Sequence, residues 1–340
     1  MSSEGLRVPR SRGEGARQVL IESHLLEPGR AILREEDYLV LPLVPGARPP
    51  EGLGTIVTRE FPPVPSSASS DYRDRLSGPP EFKARLPRSF DVVGDIVLVR
   101  IPEELEEHRE KIGSALLEFV PGARIVGADR GVHGTERLRS VERIAGTGGW
   151  TTRHRENGIE LTVNVEKAYF SPRLAREHDR VAQAVRPGER VYDLCCGVAP
   201  FAFTIARGGR AGAITAVDAN PSAIELARST ARRYAFGSRV TLVEARLESF
   251  LPGAEPRELV VLNLPREGIK YLSSVARVIA PQGRLFYYEV TARAELDTRA
   301  KVVSDTLGTG ADWRASDVHV VHPYSPSSDL VAFTFERGSR

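Results

Sequence analysis

An acid followed by a glycine turn lies in the middle of the chain, in VYDLCCGVAPF (residues 191–201). An apolar run ends at Asp193, Gly197 permits a tight turn, and a helix is predicted to begin near Pro200. Backbone at such a turn can approach a ligand at the carboxyl end of a strand. Because Ala199 replaces the second glycine of the G-x-G-x-x-G pattern, the turn gives little support for a pyrophosphate cradle.

A second acid, Asp218, ends the next predicted strand, 21 residues after Gly197. An acid in this place can accept hydrogen bonds from ribose hydroxyls, with Ala219 beside it. Either feature alone could be a structural connection, but the two together favour a nucleoside site. A nucleoside without a pyrophosphate indicates S-adenosyl-L-methionine as the cofactor.

An asparagine and a proline follow another predicted strand in VVLNLPREG (residues 260–268). Asn263 would present a rigid carboxamide, and Pro265 would fix the neighbouring backbone. The segment is similar to the N-P-P-Y-like motif that holds a planar, nitrogen-bearing substrate in amino-group methyltransferases. A simple turn is the alternative, and it becomes less favoured once a cofactor site is predicted nearby.

A charged stretch, YFSPRLAREHDR (residues 169–180), precedes the glycine turn and contains the acid Glu177. The simplest interpretation of Glu177 is an exposed acid paired with Arg180 three residues later on a helix. Tyr169 could equally belong to the core or pack against a ligand. Spacing alone leaves these alternatives open.

Composition excludes few partners. The chain has 340 residues and a net charge of +2, and 42 of its 47 basic residues are arginine. Arginine binds phosphate bidentately, although codon bias is the simpler reason for the ratio. We find no apolar run of ~20 residues and no signal-peptide pattern, so we predict no membrane association. Adjacent Cys195 and Cys196 cannot staple a fold or form a zinc site, which favours a reducing cytoplasm and no metal.

The elements that must position these residues fall into four predicted segments. Residues 1–63 form a small α/β domain, 64–81 a Pro- and Ser-rich linker, 82–166 a small α/β middle domain, and 167–340 an α/β Rossmann-like domain with a parallel-rich sheet. Within the middle domain, DVVGDIVLVRIP is predicted to form one strand with a glycine break.

Nearly the whole chain resembles the archaeal and eukaryotic tRNA (guanine-37-N1)-methyltransferase family. The similar segments are the opening of the middle domain, PRSFDVVGDIVLVRIPEEL; the joining segment, RENGIELTVNVEKAYFSPRLAREHDR; the turn, DLCCGVAPFAFTIAR; and the start of the chain, LRVPRSRGEGARQVLIESHLL. The resemblance implies a class I methyltransferase domain and methyl transfer from S-adenosyl-L-methionine to N1 of guanine 37 in tRNA. It also implies a small N-terminal domain that contacts the outer corner of tRNA.

The resemblance implies roles for particular residues. Glu177 would be the general base for guanine N1, and Arg137 would meet charge on O6, with Arg139 as the fallback. Asn263 and Pro265 would fix the guanine edge. Further substrate and cofactor contacts would come from Tyr169, Arg173, His178, Asp193, Gly197, Asp218, Ala219, Ala245 and Asn263.

Two residues depart from the family pattern. His178 stands where the family usually has a basic residue beside the cofactor carboxylate, which weakens that anchor or makes it pH-dependent. Ala245 stands where an aspartate usually lies near adenine, so the contact would be backbone at Ala245 or would come from Arg246 or Glu244.

Three rival functions use the same features. An aminocarboxypropyl transferase of the wybutosine pathway, or a methyltransferase for a wyosine-pathway tRNA intermediate, would share the scaffold and the cofactor. A tRNA-binding protein without catalysis would not need Glu177 and Asn263. A small-molecule methyltransferase would have no use for the two upstream domains. We predict a monomer that binds tRNA and not DNA.

Overall fold

The computed structural model describes residues 2–62, 71–133, 138–308 and 312–339. The chain forms two compact units, residues 1–75 and residues 76–340. No helix within the described ranges is long and apolar enough to cross a bilayer.

The first unit is a four-stranded sheet covered by one helix. Its elements are β1 (Ser2–Pro9), α1 (Gly13–Glu22), β2 (Leu33–Arg34), β3 (Tyr38–Pro42) and β4 (Thr55–Glu60). The strand order is β2-β3-β1-β4, and β1 pairs antiparallel with both neighbours. Leu20 of α1 packs onto Leu6 and Leu41 of the sheet. Strand β4 was not predicted, because most of its side chains are exposed and it lacks the apolar alternation of a half-buried strand.

The second unit begins with a smaller sheet of order β5-β6-β7-β8. The elements are α2 (Pro80–Arg85), β5 (Phe90–Val93), β6 (Ile96–Val99), α3 (Arg109–Phe119), β7 (Ile125–His133) and β8 (Leu138–Gly146). The described part of the predicted linker contains a short 3-10 helix, Tyr72–Arg75, and Tyr72 is buried. The three boundaries between the four predicted segments remain predictions.

The single broken strand predicted around Gly94 is wrong, since β5 and β6 form an antiparallel hairpin. Gly94 turns the chain with φ +58°, and a Cβ there would lie 2.2 Å from Thr152 Oγ1. Positive φ and close approach of another segment both require glycine. In the sequence, a hairpin of two apolar strands joined at a glycine therefore resembles one apolar strand with a glycine break.

An antiparallel pair, β9 (Thr151–Glu156) and β10 (Ile159–Asn164), joins the smaller sheet to the main domain. Along β9 the exposed residues Arg153 and Arg155 alternate with buried or half-buried ones. The predictions included β10 but not β9, because TTRHRE carries no apolar residue.

The main domain is a seven-stranded sheet of order β13-β12-β11-β14-β15-β17-β16, which confirms the Rossmann-like α/β prediction. Its strands are β11 (Arg190–Leu194), β12 (Ala213–Asp218), β13 (Val240–Glu244), β14 (Arg257–Leu262), β15 (Ile279–Ala292), β16 (Trp313–Ser325) and β17 (Ser328–Arg337). Its helices are α4 (Ala175–Ala184), α5 (Pro200–Gly208), α6 (Pro221–Tyr234), α7 (Leu247–Phe250), α8 (Leu272–Arg277) and α9 (Leu296–Leu307). The five neighbouring strands β13, β12, β11, β14 and β15 pair in parallel. Strand β17 is antiparallel to β15 and to β16.

Two apolar layers cover this sheet, one on each face. Val191 and Val261 point to the layer that contains Phe201 of α5, while Tyr192 and Val260 point to the layer that contains Leu272 of α8. The parallel strands are therefore buried on both sides, and their carboxyl ends meet at one edge.

Candidate active site

A cavity opens at the carboxyl ends of the parallel strands. It is lined by segments that follow β11, β12, β13 and β14, together with the segment before α4. The lining residues used below are Tyr169, His178, Cys195, Gly197, Asp218, Ala219, Arg246 and Asn263. This is the place where doubly wound sheets bind ligands.

The turn after β11 has positive φ at three alternate residues. Cys195, Gly197 and Ala199 all have positive φ, at +59°, +56° and +61°. The turn brings the N–H groups at the start of α5 toward Asp193, whose Oδ2 accepts a hydrogen bond from Ala202 N at 3.0 Å. Burial raises the pKa of both cysteine thiols, so neither is poised to act as a nucleophile.

Asp193 was predicted to bind the cofactor, but its side chain is fully buried and does not line the cavity. Its Oδ1 has no hydrogen-bond partner among the described residues. Burial, with a smaller contribution from Asp218, raises the pKa of Asp193 to about 7. The observed role of Asp193 is to hold the start of α5 behind the turn.

Asp218 lines the cavity and fixes the turn at the same time. Its Oδ2 accepts from Gly197 N at 2.7 Å, and its Oδ1 accepts from Asn220 N at 2.8 Å. Asn220 in turn caps α6 by accepting from Ser222 N at 2.9 Å. The carboxylate and the exposed Ala219 therefore face the cavity from a rigid support.

His178 is buried on α4 and lines the cavity. Its Nδ1 lies 2.7 Å from Glu156 Oε1 of β9, and its Nε2 has no hydrogen-bond partner among the described residues. A carboxylate at Nδ1 keeps a proton on that nitrogen, which leaves Nε2 available to a ligand.

Glu177 is also buried, with 5% of its surface exposed, but it does not line the cavity. Its Oε1 accepts from Arg180 Nε and from Tyr288 Oη, both at 2.8 Å. Its Oε2 lies 3.2 Å from His319 Nε2. The predicted alternative of a pair with Arg180 is observed, but the exposed position that accompanied it is wrong.

The surroundings of Glu177 favour its charged form. Burial opposes ionisation, but hydrogen bonds from Arg180, Tyr288 and His319 outweigh it and lower the pKa of Glu177. Since the ordinary value is 4.5, Glu177 is a carboxylate at neutral pH.

Of the other residues predicted to contact a ligand, some line the cavity and others only support its backbone. Asn263 and Tyr169 line the cavity, whereas Pro265 is buried and its carbonyl accepts from Val290 N at 2.9 Å. Ala245 does not line the cavity, and its N–H donates to Asp218 O at 3.0 Å. The neighbouring Arg246 lines the cavity in its place.

Of the three arginines that were predicted to contact the substrate, two form ion pairs and one is not described by the structure. Arg137 lies outside the described residues. Arg139 donates to Asp129 Oδ2 at 2.7 Å and is mostly buried. Arg173 donates to Asp91 Oδ1 at 2.8 Å, and its predicted contact with the substrate stays a prediction.

Sequence reasoning missed the three partners that complete this region: Tyr288, His319 and Glu156. They come from β15, β16 and β9, and local patterns do not show that these strands meet α4. His319 also contacts Asp317 Oδ2 through Nδ1 at 2.8 Å. A histidine two residues after an aspartate on an exposed strand gave no hint of a buried acid beyond it.

The described residues contain no cluster of three or more side chains suited to a metal ion.

Three family models match the chain: the tRNA methyltransferase 5 N-terminal domain over residues 5–51, the TYW2 N-terminal domain over 72–149 and the TRM5/TYW2 methyltransferase domain over 152–307.

Relatives match over most of the chain. The tRNA (guanine(37)-N(1))-methyltransferase Trm5b of Pyrococcus abyssi is 33% identical over 83% of this chain and 83% of its own. The solved complex of aTrm5 with tRNALeu covers 98% of this chain and 99% of its own, with 27% identity and a TM-score of 0.70. Methanocaldococcus jannaschii Trm5 in complex with adenosine covers 99% and 100%, with 25% identity and a TM-score of 0.68. The chain therefore belongs to the tRNA (guanine(37)-N(1))-methyltransferase family.

Proposed function

We propose that this protein transfers a methyl group from S-adenosyl-L-methionine to N1 of guanine 37 in tRNA. The observation that carries the proposal is a buried, ionised Glu177 next in sequence to His178, which lines the cavity. Family membership, and the binding of tRNALeu and of adenosine by the two related proteins, support the choice of substrate and cofactor.

The cavity residues fit this cofactor. The Asp218 carboxylate can accept from ribose hydroxyls, and Nε2 of buried His178, which has no partner in the described part of the chain, can meet the methionine part. When bound, the cofactor supplies an electrophilic methyl group on a sulfonium. The glycine turn and Asp218 would hold it in place, and Arg246 is a candidate for the adenine contact that Ala245 was predicted to give.

The chemistry requires removal of a proton, because guanine N1 carries one and is a poor nucleophile. As the new N1–methyl bond forms, Glu177 accepts that proton. Oε1 already holds Arg180 and Tyr288, whereas the one described partner of Oε2 is His319 at 3.2 Å. We therefore assign Oε2 as the proton acceptor.

Other residues would position guanine. Asn263, which follows β14, lines the cavity and would contact the guanine edge, and Pro265 would stiffen the backbone that follows. Charge that develops on O6 needs a cation. Because Arg139 is committed to Asp129, Arg137 is the better candidate.

Aminocarboxypropyl transfer, or methylation of a wyosine-pathway intermediate, is the second candidate function, favoured by the match of residues 72–149 to the TYW2 N-terminal domain model. The test is to incubate the protein with tRNA and S-adenosyl-L-methionine and to identify both products. Methyl transfer yields 1-methylguanosine and S-adenosylhomocysteine. Methylthioadenosine as the coproduct would contradict the proposal, and so would product formed on a tricyclic intermediate but not on unmodified tRNA. A monomeric state and a cytoplasmic location remain predictions.

A further inference from the structure

A groove of about 980 Å³ lies in the second unit, between β9, the turn between β5 and β6, and the side of α6. We call it the arginine groove, because four of its lining residues are Arg124, Arg153, Arg155 and Arg233. It shares no lining residue with the cofactor cavity. The predicted reaction does not use it.

Two of the four arginines are structural. Arg124 donates to both carboxylate oxygens of Asp95, at 2.8 and 3.2 Å, and to the carbonyls of Thr147, Gly149 and Thr151. Arg233 donates to Glu160 Oε2 at 2.9 Å. Their charges stay in the groove, but their donors are largely occupied.

The other two arginines have no such partners in the part of the chain that the structure describes. Arg153 and Arg155 are exposed, and neither has an ion pair or a side-chain hydrogen bond among the described residues. Because strand side chains alternate, the two point to the same face of β9 and stand ~6.6 Å apart along it. Thr152, His154 and Glu156 fill the opposite face.

The groove carries a net positive charge. Four arginines and one acid, Asp95, line it, and Glu160 just outside the lining is paired with Arg233, so the net formal charge of these six residues is +2. Burial lowers the pKa of His154, which accepts a hydrogen bond from Gly94 N at 3.1 Å. His154 therefore helps to hold the turn at Gly94 and does not add to the positive charge of the groove.

We propose that the arginine groove binds the phosphodiester backbone of an RNA substrate, at a distance from the base that is methylated. Two guanidinium groups repeated along one strand suit successive phosphates of a nucleic-acid strand, because each can bind phosphate oxygens bidentately. The groove lining has one large apolar residue, Val92, so it offers little to the side chains of a protein partner. The identity of the RNA as tRNA rests on the proposed function.

The proposal concerns affinity and not chemistry. Phosphate contacts position a nucleic acid, and they release counterions, so each lost contact lowers the salt dependence of binding. The full-length double variant Arg153→Gln/Arg155→Gln should bind tRNA about tenfold more weakly at moderate salt. The slope of log K against log salt should fall by roughly 1 for each arginine.

A matched control removes the same charge elsewhere. Arg277 on α8 is exposed and Arg314 on β16 is paired with Glu336 at the surface, and neither lines the groove. Arg277→Gln/Arg314→Gln should leave the salt slope near that of the natural protein. Cofactor affinity and the single-turnover rate at saturating tRNA should be unchanged in both double variants.

The outcomes separate this proposal from the proposed function. If the natural protein methylates guanine 37 but both double variants show its affinity and salt slope, the groove assignment is wrong and the function stands. If the natural protein methylates no tRNA, the proposed function fails, whereas a reduced slope in Arg153→Gln/Arg155→Gln alone would still support an RNA groove. Binding of a polyglutamate peptide that depends on these arginines, with tRNA affinity unaffected, would overturn the RNA assignment.

Discussion

Glu177 on α4 and Asp193 at the end of β11 are both hidden from solvent, with 5% and 0% of their surfaces exposed, but their pKa values move in opposite directions. Glu177 has three side-chain donors around it, and its pKa is lowered. Asp193 has one backbone donor, and burial raises its pKa to about 7. The comparison shows that donors, and not burial alone, decide which acid is ready to take up a proton.

Asp218 adds a third case, because it faces the cavity and is tied to two backbone N–H groups. The region of α4 thus supplies a charged acid that is held by side-chain partners. The region of the glycine turn supplies two acids that fix backbone, and one of them, Asp218, lines the cavity. Variants of the two regions should accordingly change different measured quantities.

The largest effect should come from Glu177→Gln, which keeps the size of the side chain and removes the base. General-base catalysis accelerates a reaction by about 10²–10⁴-fold, so single-turnover methyl transfer should slow by that factor. The dissociation constants of tRNA and cofactor should change little. The exposed acid Glu225 on α6 provides the control Glu225→Gln, which should keep the natural rate. A Glu177→Gln rate within a few-fold of the control would place the base elsewhere.

Asp218→Ala should act on cofactor binding and not on the chemical step. Loss of hydrogen bonds to a charged group costs roughly 1.5–3 kcal/mol, which corresponds to a cofactor affinity about 10- to 150-fold weaker. Calorimetry with S-adenosyl-L-methionine measures it, and circular dichroism verifies the fold. Unchanged affinity in a folded variant would remove Asp218 from the cofactor site.

Tyr288→Phe should shift the pH dependence and leave the maximal rate within a few-fold. The phenol donates to Glu177 and is one of the groups that lower its pKa, so its loss should raise that pKa. Because Glu177 must be ionised to accept a proton, the acidic limb of kcat/KM should move to higher pH. Tyr287→Phe, next to it on the opposite face of β15, is the control. If the acidic limb lies at the same pH in both variants, the limb does not report the ionisation of Glu177.

Asp193→Asn should change stability alone and leave the rate of methyl transfer unaffected. The pKa of Asp193 is about 7 in the folded protein against an ordinary 3.8, so the folded state holds the proton more tightly. Stability from this group is present at low pH and is lost as pH rises from about 4 through about 7. The asparagine variant should lack that decline. Urea unfolding at several pH values measures it, and parallel curves for the two proteins would mean that Asp193 is not protonated in the fold.

The sequence predicted the features that depend on neighbours along the chain. The glycine turn, Asp218 at the end of the next strand and Asn263 after β14 all meet at one cavity, because the carboxyl ends of parallel strands share an edge. A resemblance to a family added Glu177, which spacing alone could not distinguish from an ordinary exposed acid.

The features that were missed depend on contacts between distant segments. Tyr288 and His319 reach Glu177 from strands 111 and 142 residues away, and β16 and β17 were not predicted. Glu156 reaches His178 from a strand without apolar residues. The environment that sets the charge of a buried acid is assembled by the fold, so its pKa cannot be predicted from local sequence.

The most direct test of the central claim uses tRNA transcripts with guanine, inosine or adenine at position 37 and follows single-turnover methyl transfer by the natural protein and by Glu177→Gln. Guanine and inosine share the N1 proton and O6, whereas adenine has neither. We expect rapid transfer to guanine and inosine, no transfer to adenine, and a loss of about 10²–10⁴-fold on both active substrates in Glu177→Gln. Equal rates on guanine and adenine, or a Glu177→Gln protein as fast as the natural one on guanine, would contradict proton removal from N1 by Glu177.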